Sequence, residues 1–273
     1  MAAKIEQESA QAEGGDAEGE ELSLGRRVWD QVGPIGLAIL IALAIRAMII
    51  ESYYVPSGSM FPTMWIGDHV FVTKFTYGSH VPFTDLTLPA LRDPQRGEIV
   101  VFGLGRDGTD LCPLDQCPDY HSEGFVKRIV GIPGDIVEVR GGQLYINGEP
   151  VPAGPTGALF TDDHGMELTV LDEDLPGCRH QILDREGYVG LSGATKTVPE
   201  DRYYMMGDNR DNSKDSRVFG TIHRDDLKGP VLFNYWAWNN HYGWLSMLNP
   251  LTWLDLLWNE MNWGRLGMGY DCE

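Results

Sequence analysis

Residues 124–152 read GFVKRIVGIPGDIVEVRGGQLYINGEPVP. Two Val- and Ile-rich runs stand out, 124–132 (GFVKRIVGI) and 135–140 (DIVEVR), and a third segment, 143–152, follows them. Asn147-Gly148 lies between two short runs inside this third segment, and both turn residues of a two-residue hairpin need positive φ, which Asn and Gly tolerate. If 124–132 is a strand, alternation puts Phe125, Lys127 and Ile129 on one face and Arg128 on the other. Working outward, 69–73 (HVFVT) and 98–102 (EIVVF) have the same character. No long helical period competes between 66 and 230. The expected fold is mainly β: an antiparallel, partly closed β domain. Residues 103–123 and the acidic stretch 155–186 read as loops or insertions, and His69 as an ordinary strand residue.

Upstream the composition changes twice. Residues 1–25 hold seven carboxylates and one Lys with little apolar content, the pattern of a disordered, solvated tail. From Val32 to Ile50 the only charge is Arg46. A helix over this run would span about 29 Å, one hydrocarbon core. Ala42-Leu43-Ala44 resembles a cleavage site, but it lies inside the run, and the run is longer than the apolar core of a signal peptide. The reading is an uncleaved transmembrane anchor over 26–51. Arg26 and Arg27 precede it, so the N-terminus is expected in the cytoplasm and everything after residue 51 on the exported side.

The whole chain of 273 residues carries 21 Lys+Arg against 40 Asp+Glu, a net charge of -19. That balance disfavours nucleic acid, whose phosphates need surplus cations. The domain plan is a tail over 1–25, an anchor over 26–51, a β-rich exported domain over 52–230 and a Trp-rich region over 231–273. In the last, Asn249-Pro250 looks like a helix start, with Leu251, Leu254, Trp258 and Met261 on one face. Packing on the domain and lying in the membrane interface are both open to it. Of the four cysteines, Cys112 and Cys117 are expected to form a disulfide in an exported loop. With His121 they could instead be part of a zinc site, for which no fourth ligand is evident. Cys178 and Cys272 have no obvious partner.

Three segments carry chemistry. In 53–64 (YYVPSGSMFPTM), two prolines bracket Ser57-Gly58-Ser59, which presents a serine hydroxyl on a stiff loop. In 124–132, Lys127 has apolar neighbours on its own face. Burial there would lower its pKa, and without burial only about 0.04% of the amine is neutral at pH 7. In 207–217 (GDNRDNSKDSR), Asp208, Asp211 and Asp215 alternate with Arg210, Lys214 and Arg217. Interleaved cations and the lack of a mid-loop Gly speak against calcium, and for a network of ion pairs in which Ser213 can orient another group. HExxH, GxSxG and SxxK are absent; Gly190-Leu191-Ser192-Gly193-Ala194 comes near the second.

The order of an apolar span, SGSMxPT, RGEIVVF, KRIVGIPGD and GDNRDNSxDSR closely resembles bacterial type I signal peptidases, membrane-bound Ser/Lys serine proteases. The matching pieces are Pro56–Met64, Arg96–Phe102, Phe125–Asp135 and Gly207–Arg217. The resemblance implies an endopeptidase of the inner membrane that removes signal peptides from exported preproteins. Ser59 would be its nucleophile and Lys127 its general base. Ser57 would serve the oxyanion hole beside the Ser59 N–H, and Ser213 would orient the lysine. Asp208, Asp215 and Arg217 would hold the loop. Val55, Met60, Met64, Phe125 and Val126 would bind substrate, which enters as an added strand between 53–55 and 124–126. No cofactor and no metal are implied. The implied partners are signal peptides, the phospholipid membrane and the translocation machinery, with no nucleic acid. Two alternatives remain from the residues alone: a dedicated pilus or conjugation processing peptidase of the same fold, and a non-catalytic anchored binding module.

Overall fold

The computed structural model describes residues 49–80, 87–104, 124–185, 192–238 and 260–270, together with 29, 32–39, 41–42, 187, 249, 252, 255, 258 and 272. The chain divides into two units, 1–44 and 45–273. In the first, 32–39 is helical and its apolar side chains are largely exposed. Among the described residues no helix is long and apolar enough to cross a membrane.

The second unit is antiparallel β throughout its three larger sheets. Its strands are β1 (Ile50–Tyr54), β2 (Asp68–Thr73), β3 (Ser79–His80), β4 (Thr87–Leu88), β5 (Ile99–Phe102) and β6 (Phe125–Gly131). Then come β7 (Ile136–Arg140), β8 (Gln143–Ile146), β9 (Glu149–Pro150), β10 (Ala153–Thr161), β11 (Glu167–Leu175) and β12 (Cys178–Asp184). The last are β13 (Gly193–Thr197), β14 (Arg202–Met206), β15 (Ile222–His223) and β16 (Leu227–Ala237), and a short helix, α1 (Ser216–Phe219), follows β14.

The main sheet has seven strands in the order β1-β2-β16-β5-β6-β14-β15. It curls far enough that the Tyr53 ring, at the β1 edge, lies 3.7 Å from where a side chain on Gly124 would begin. On one face sits a core of Val100, Phe102, Ile129, Met205 and Phe219, and on the other a second of Val70, Val72, Ile99, Val101 and Met64. The strands expected at 69–73, 98–102, 124–132 and 135–140 are β2, β5, β6 and β7. The Asn147-Gly148 hairpin joins β8 to β9, with φ of 55° and 85° at its two turn residues.

Three expectations need correction. The acidic stretch 155–186 is not a loop: it forms most of the three-stranded sheet β10-β11-β12. Leu168 and Val170 of β11 alternate as buried residues, but the phase then shifts, so that Glu173 and Leu175 are the buried ones, and a buried carboxylate breaks the apolar pattern. Cys178 and Cys272 do have a partner, namely each other, across 94 residues of chain with Cα atoms 4.8 Å apart. Such a pairing has no local signal, because only the fold brings the two ends together. Finally, Met261 leaves the expected C-terminal face, although Thr252 and Asp255 are helical. Trp258 is 86% exposed, whereas Met261 is buried and bridges Trp238. Leu251, Leu254, Cys112, Cys117 and His121 lie outside the described residues.

Candidate active site

The Ser59 loop leaves β1 at Val55, and a single turn, Gly58–Met60, carries the hydroxyl. Met60 and Met64 are buried with Val55, which fixes the turn from below. Lys127 comes from the middle of β6, opposite Val100 of β5. Its neighbours on the same face, Phe125 and Ile129, pack in the core beside Phe102. Its side chain is therefore only 4% exposed. The amine Nζ reaches Ser59 Oγ at 2.6 Å and donates to the Val126 carbonyl at 3.0 Å. Ser57 Oγ lies 3.4 Å from Ser59 Oγ.

Burial lowers the Lys127 pKa to about 8, against the pull of Asp215 and Asp208 and with help from Arg217. Removing an ammonium from water favours the neutral amine. At pH 7 roughly a tenth of the amine is then neutral, some hundreds of times more than for an exposed lysine. The site thus holds a half-buried hydroxyl in contact with a buried amine.

The loop after β14 covers this pair. Asn209 donates its backbone N–H to the Ser59 carbonyl at 3.2 Å and its side-chain amide to the Gly58 carbonyl at 3.0 Å. Gly207 must be glycine here: a Cβ would sit 2.5 Å from the Ser59 carbonyl oxygen and 2.3 Å from Ser213 Oγ. Asp215 caps α1 and accepts from the Gly207 N–H at 3.1 Å and from Arg217 Nη2 at 2.7 Å, and Arg217 also donates to the Arg210 carbonyl. Asp208 accepts two hydrogen bonds from Arg128, at 2.9 and 2.7 Å, and one from Thr63 at 2.6 Å. Burial alone would raise the Asp208 pKa, but Arg128 brings it below the usual carboxylate range.

Of the residues picked out by sequence, Ser57, Ser59 and Lys127 meet in one place, and Asp208, Asp215 and Arg217 surround it. Val55, Met60 and Met64 are buried, while Phe125 and Val126 are half-buried on β6. Ser213 Oγ is buried next to Gly207 and has no hydrogen-bond partner, so the expected bond to Lys127 is not made in this structure. Four neighbours were not anticipated: Arg128, Thr63, Glu173 and His180. Arg210 forms a two-pronged ion pair with Glu173 of β11. His180 Nε2 lies 3.3 Å from Glu173 without hydrogen-bond geometry. Burial and the nearby Arg128 push its pKa down to about 4. For Arg128 a partial signal existed, since alternation put it on the face opposite Lys127. For Glu173 and His180 none existed, because their stretch read as a loop.

The chain also resembles known proteins along most of its length. The family model described as signal peptidase, peptidase S26 matches residues 28–236. The signal peptidase I of Pseudomonas fluorescens is 36% identical over 212 residues, covering 73% of this chain and 69% of that protein. The probable signal peptidase I-2 of Synechocystis is 32% identical over 203 residues, with the same coverage of 73% and 69%. The signal peptidase I of Rickettsia prowazekii is 29% identical over 259 residues, covering 86% and 93%. The class is therefore a serine peptidase on an antiparallel β scaffold. Within that class, the chain belongs to the signal peptidase family, peptidase S26, whose members remove signal peptides.

Proposed function

We propose that this chain is a membrane-anchored endopeptidase that cleaves signal peptides from exported preproteins, with Ser59 as nucleophile and Lys127 as general base. One observation carries the reading: the 2.6 Å contact between Ser59 Oγ and an amine whose pKa burial lowers to about 8. A serine hydroxyl is a weak nucleophile without an adjacent base.

Neutral Lys127 takes the Ser59 proton as Oγ attacks the scissile carbonyl. The oxygen anion that develops meets the Ser57 hydroxyl and the Ser59 N–H. Each such donor contributes about 3–4 kcal/mol to barrier lowering. The Lys127 ammonium then protonates the leaving amine as the peptide bond breaks, leaving an acyl-Ser59 ester. Water, deprotonated by the same amine, attacks the ester, and the proton returns to Oγ. Ser213, whose buried hydroxyl has no hydrogen-bond partner, orients the amine once substrate enters. The substrate adds as a strand along the outer edge of β1 and the N-terminal half of β6. The β6–β14 pairing supports this, because it runs through 128–131 and leaves 125–127 for a partner. Val55, Met60, Met64, Phe125 and Val126 form the walls for small side chains.

Residues 32–50 serve as the anchor, with Arg26 and Arg27 on the cytoplasmic side and the β unit exported. The Cys178–Cys272 disulfide suits an oxidising compartment. The test is cleavage of a preprotein by the full chain in detergent. The mature product should appear with or without chelator and should vanish with Ser59→Ala. Product formation that survives Ser59→Ala overturns the assignment.

A further inference from the structure

The C-terminal segment 261–272 has no place in the catalytic steps above, yet it wraps the turn that follows Ser59. It runs alongside β16. Asn262 N–H donates to the Ala237 carbonyl at 2.8 Å, Gly267 N–H to the Asn234 carbonyl at 2.7 Å, and Asn234 N–H to the Met268 carbonyl at 2.9 Å. Tyr270 then buries its ring with Met60, Met64 and Val55. Cys272 closes the segment onto Cys178 of β12, and Gly97 packs so tightly on this bond that a Cβ would lie 2.4 Å from Cys178 Cβ. The segment is thus pinned at both ends and crosses the nucleophile turn between them.

The crossing point is Arg265, which is 7% exposed. Its guanidinium grips Asp68 with Nε at 2.9 Å and Nη2 at 2.5 Å, and Nη2 also donates to the Thr63 carbonyl at 3.0 Å. Asp68 in turn accepts the Trp65 N–H at 2.8 Å and the Asn234 side-chain amide at 2.9 Å. Thr63 is held from the opposite side, where its hydroxyl donates to Asp208 at 2.6 Å. One residue four positions after Ser59 is therefore clamped between the catalytic loop and the C-terminal segment.

We propose that Arg265 is a positioning residue for the nucleophile: carried on a C-terminal strap fastened by the Cys178–Cys272 disulfide, it holds the 61–68 turn so that Ser59 stays in register with Lys127. A displacement of about 1 Å at a reacting group can lower a rate about 100-fold, so a clamp of this kind acts on kcat rather than on substrate affinity. A lysine at 265 keeps the charge beside Asp68 but cannot grip the carboxylate in two places and reach the Thr63 carbonyl as well. The strap explains why the cysteines stand 94 residues apart, on the two segments that must meet behind the site.

This inference rests on Ser59 being the nucleophile, and the experiment separates the two. The full chain in detergent is compared with Arg265→Lys, with Cys178→Ala/Cys272→Ala, and with Ser59→Ala. The readouts are kcat and KM on a peptide spanning a cleavage site, and the acylation burst with a small p-nitrophenyl ester, which needs no substrate strand. Arg265→Lys, folded by circular dichroism, should lose about 10- to 100-fold in kcat and in burst rate while KM stays within about twofold. The double cysteine variant, which keeps Arg265, should lose about 3- to 10-fold in kcat with KM again unchanged. A folded Arg265→Lys with kcat within twofold of the parent, or with its loss confined to KM, overturns the role of Arg265. Should Arg265→Lys not fold, the cysteine variant decides: lowered kcat supports the strap and unchanged kcat overturns it. Parent activity that survives Ser59→Ala removes the nucleophile assignment and this proposal with it.

Discussion

Lys127 and Arg128 are consecutive, cationic and almost wholly buried, at 4% and 2% exposure, yet they open onto two different regions. Lys127 faces the serine loop, where its closest partners are a hydroxyl and a carbonyl. Arg128 faces the loop after β14, where Asp208 takes two of its hydrogen bonds and the Gly97 carbonyl a third, at 2.7 Å. The comparison teaches what burial does to a cation. With a carboxylate in contact, the buried guanidinium is hydrogen-bonded and organises its surroundings. Without one, burial loosens the amine's hold on its proton, and a larger share of it can act as a base. One strand supplies both outcomes because alternation sends successive side chains to opposite faces.

The largest effect belongs to the unpaired cation. Lys127→Met should lower kcat by about 10⁴-fold or more, since both the attack and the departure of the leaving amine lose their proton carrier. Single-turnover cleavage of a preprotein measures it, and a loss below tenfold would break the contrast at its catalytic end. The paired cation should fail differently. Arg128→Met leaves Asp208 charged and buried with only Thr63 in hydrogen-bond contact, and should cost about 3–5 kcal/mol of folding stability in urea titrations.

The same measurement on Lys127→Met should show the opposite sign. Holding the folded pKa near 8, against 10.5 unperturbed, means that the unfolded chain binds more protons between these two values. Stability from this group therefore rises with pH from about 8 to 10.5, and below 8 its burial is a standing cost of up to about 3 kcal/mol. Replacing it by Met should stabilise the protein at pH 7 by up to that amount while removing activity. A destabilised Lys127→Met would show that its contacts outweigh its desolvation. In parallel, kcat/KM of the parent should climb with pH along an acid limb centred near 8, because the neutral amine is the working form. Asp208 has the same direction of slope, as a gain instead of a cost: its folded pKa is lowered, so its contribution is present above about pH 4 and lost as pH falls through the folded value. The smallest effect should come from Arg140, which pairs with Glu138 at 2.9 Å but whose side chain is 63% exposed. Arg140→Ala should change stability by no more than about 0.5 kcal/mol, which separates having a partner from being buried with one.

Much of this was legible in the residues. The Val- and Ile-rich runs in 98–102 and 124–140 announced strands, and Asn147-Gly148 announced its own turn because few other residues accept two positive φ values in succession. The motif around Ser59, the apolar flanks of Lys127 and the charge-dense run 207–217 marked the three segments that the fold brings together. What escaped was anything whose meaning depends on a distant partner. Glu173 and His180 sit in a stretch so rich in carboxylates that its strands read as a loop. Met261 looked like part of a helical stripe but pairs with Trp238 instead.

Taken alone, the residues determine a mainly β chain behind an apolar run of membrane-spanning length, with a hydroxyl and a lysine set in apolar company. These are local properties, set by side-chain period and by turn geometry over a few positions. Only the tertiary structure decides which buried cation meets a carboxylate and which meets a hydroxyl. Arg128 finds its partner 80 positions away, Lys127 finds Ser59 68 positions back, and Cys178 closes on Cys272 across 94. Contacts of a few ångströms between such distant positions arise only once the sheet has curled and excluded water, and that same exclusion shifts the proton affinity on which the chemistry depends.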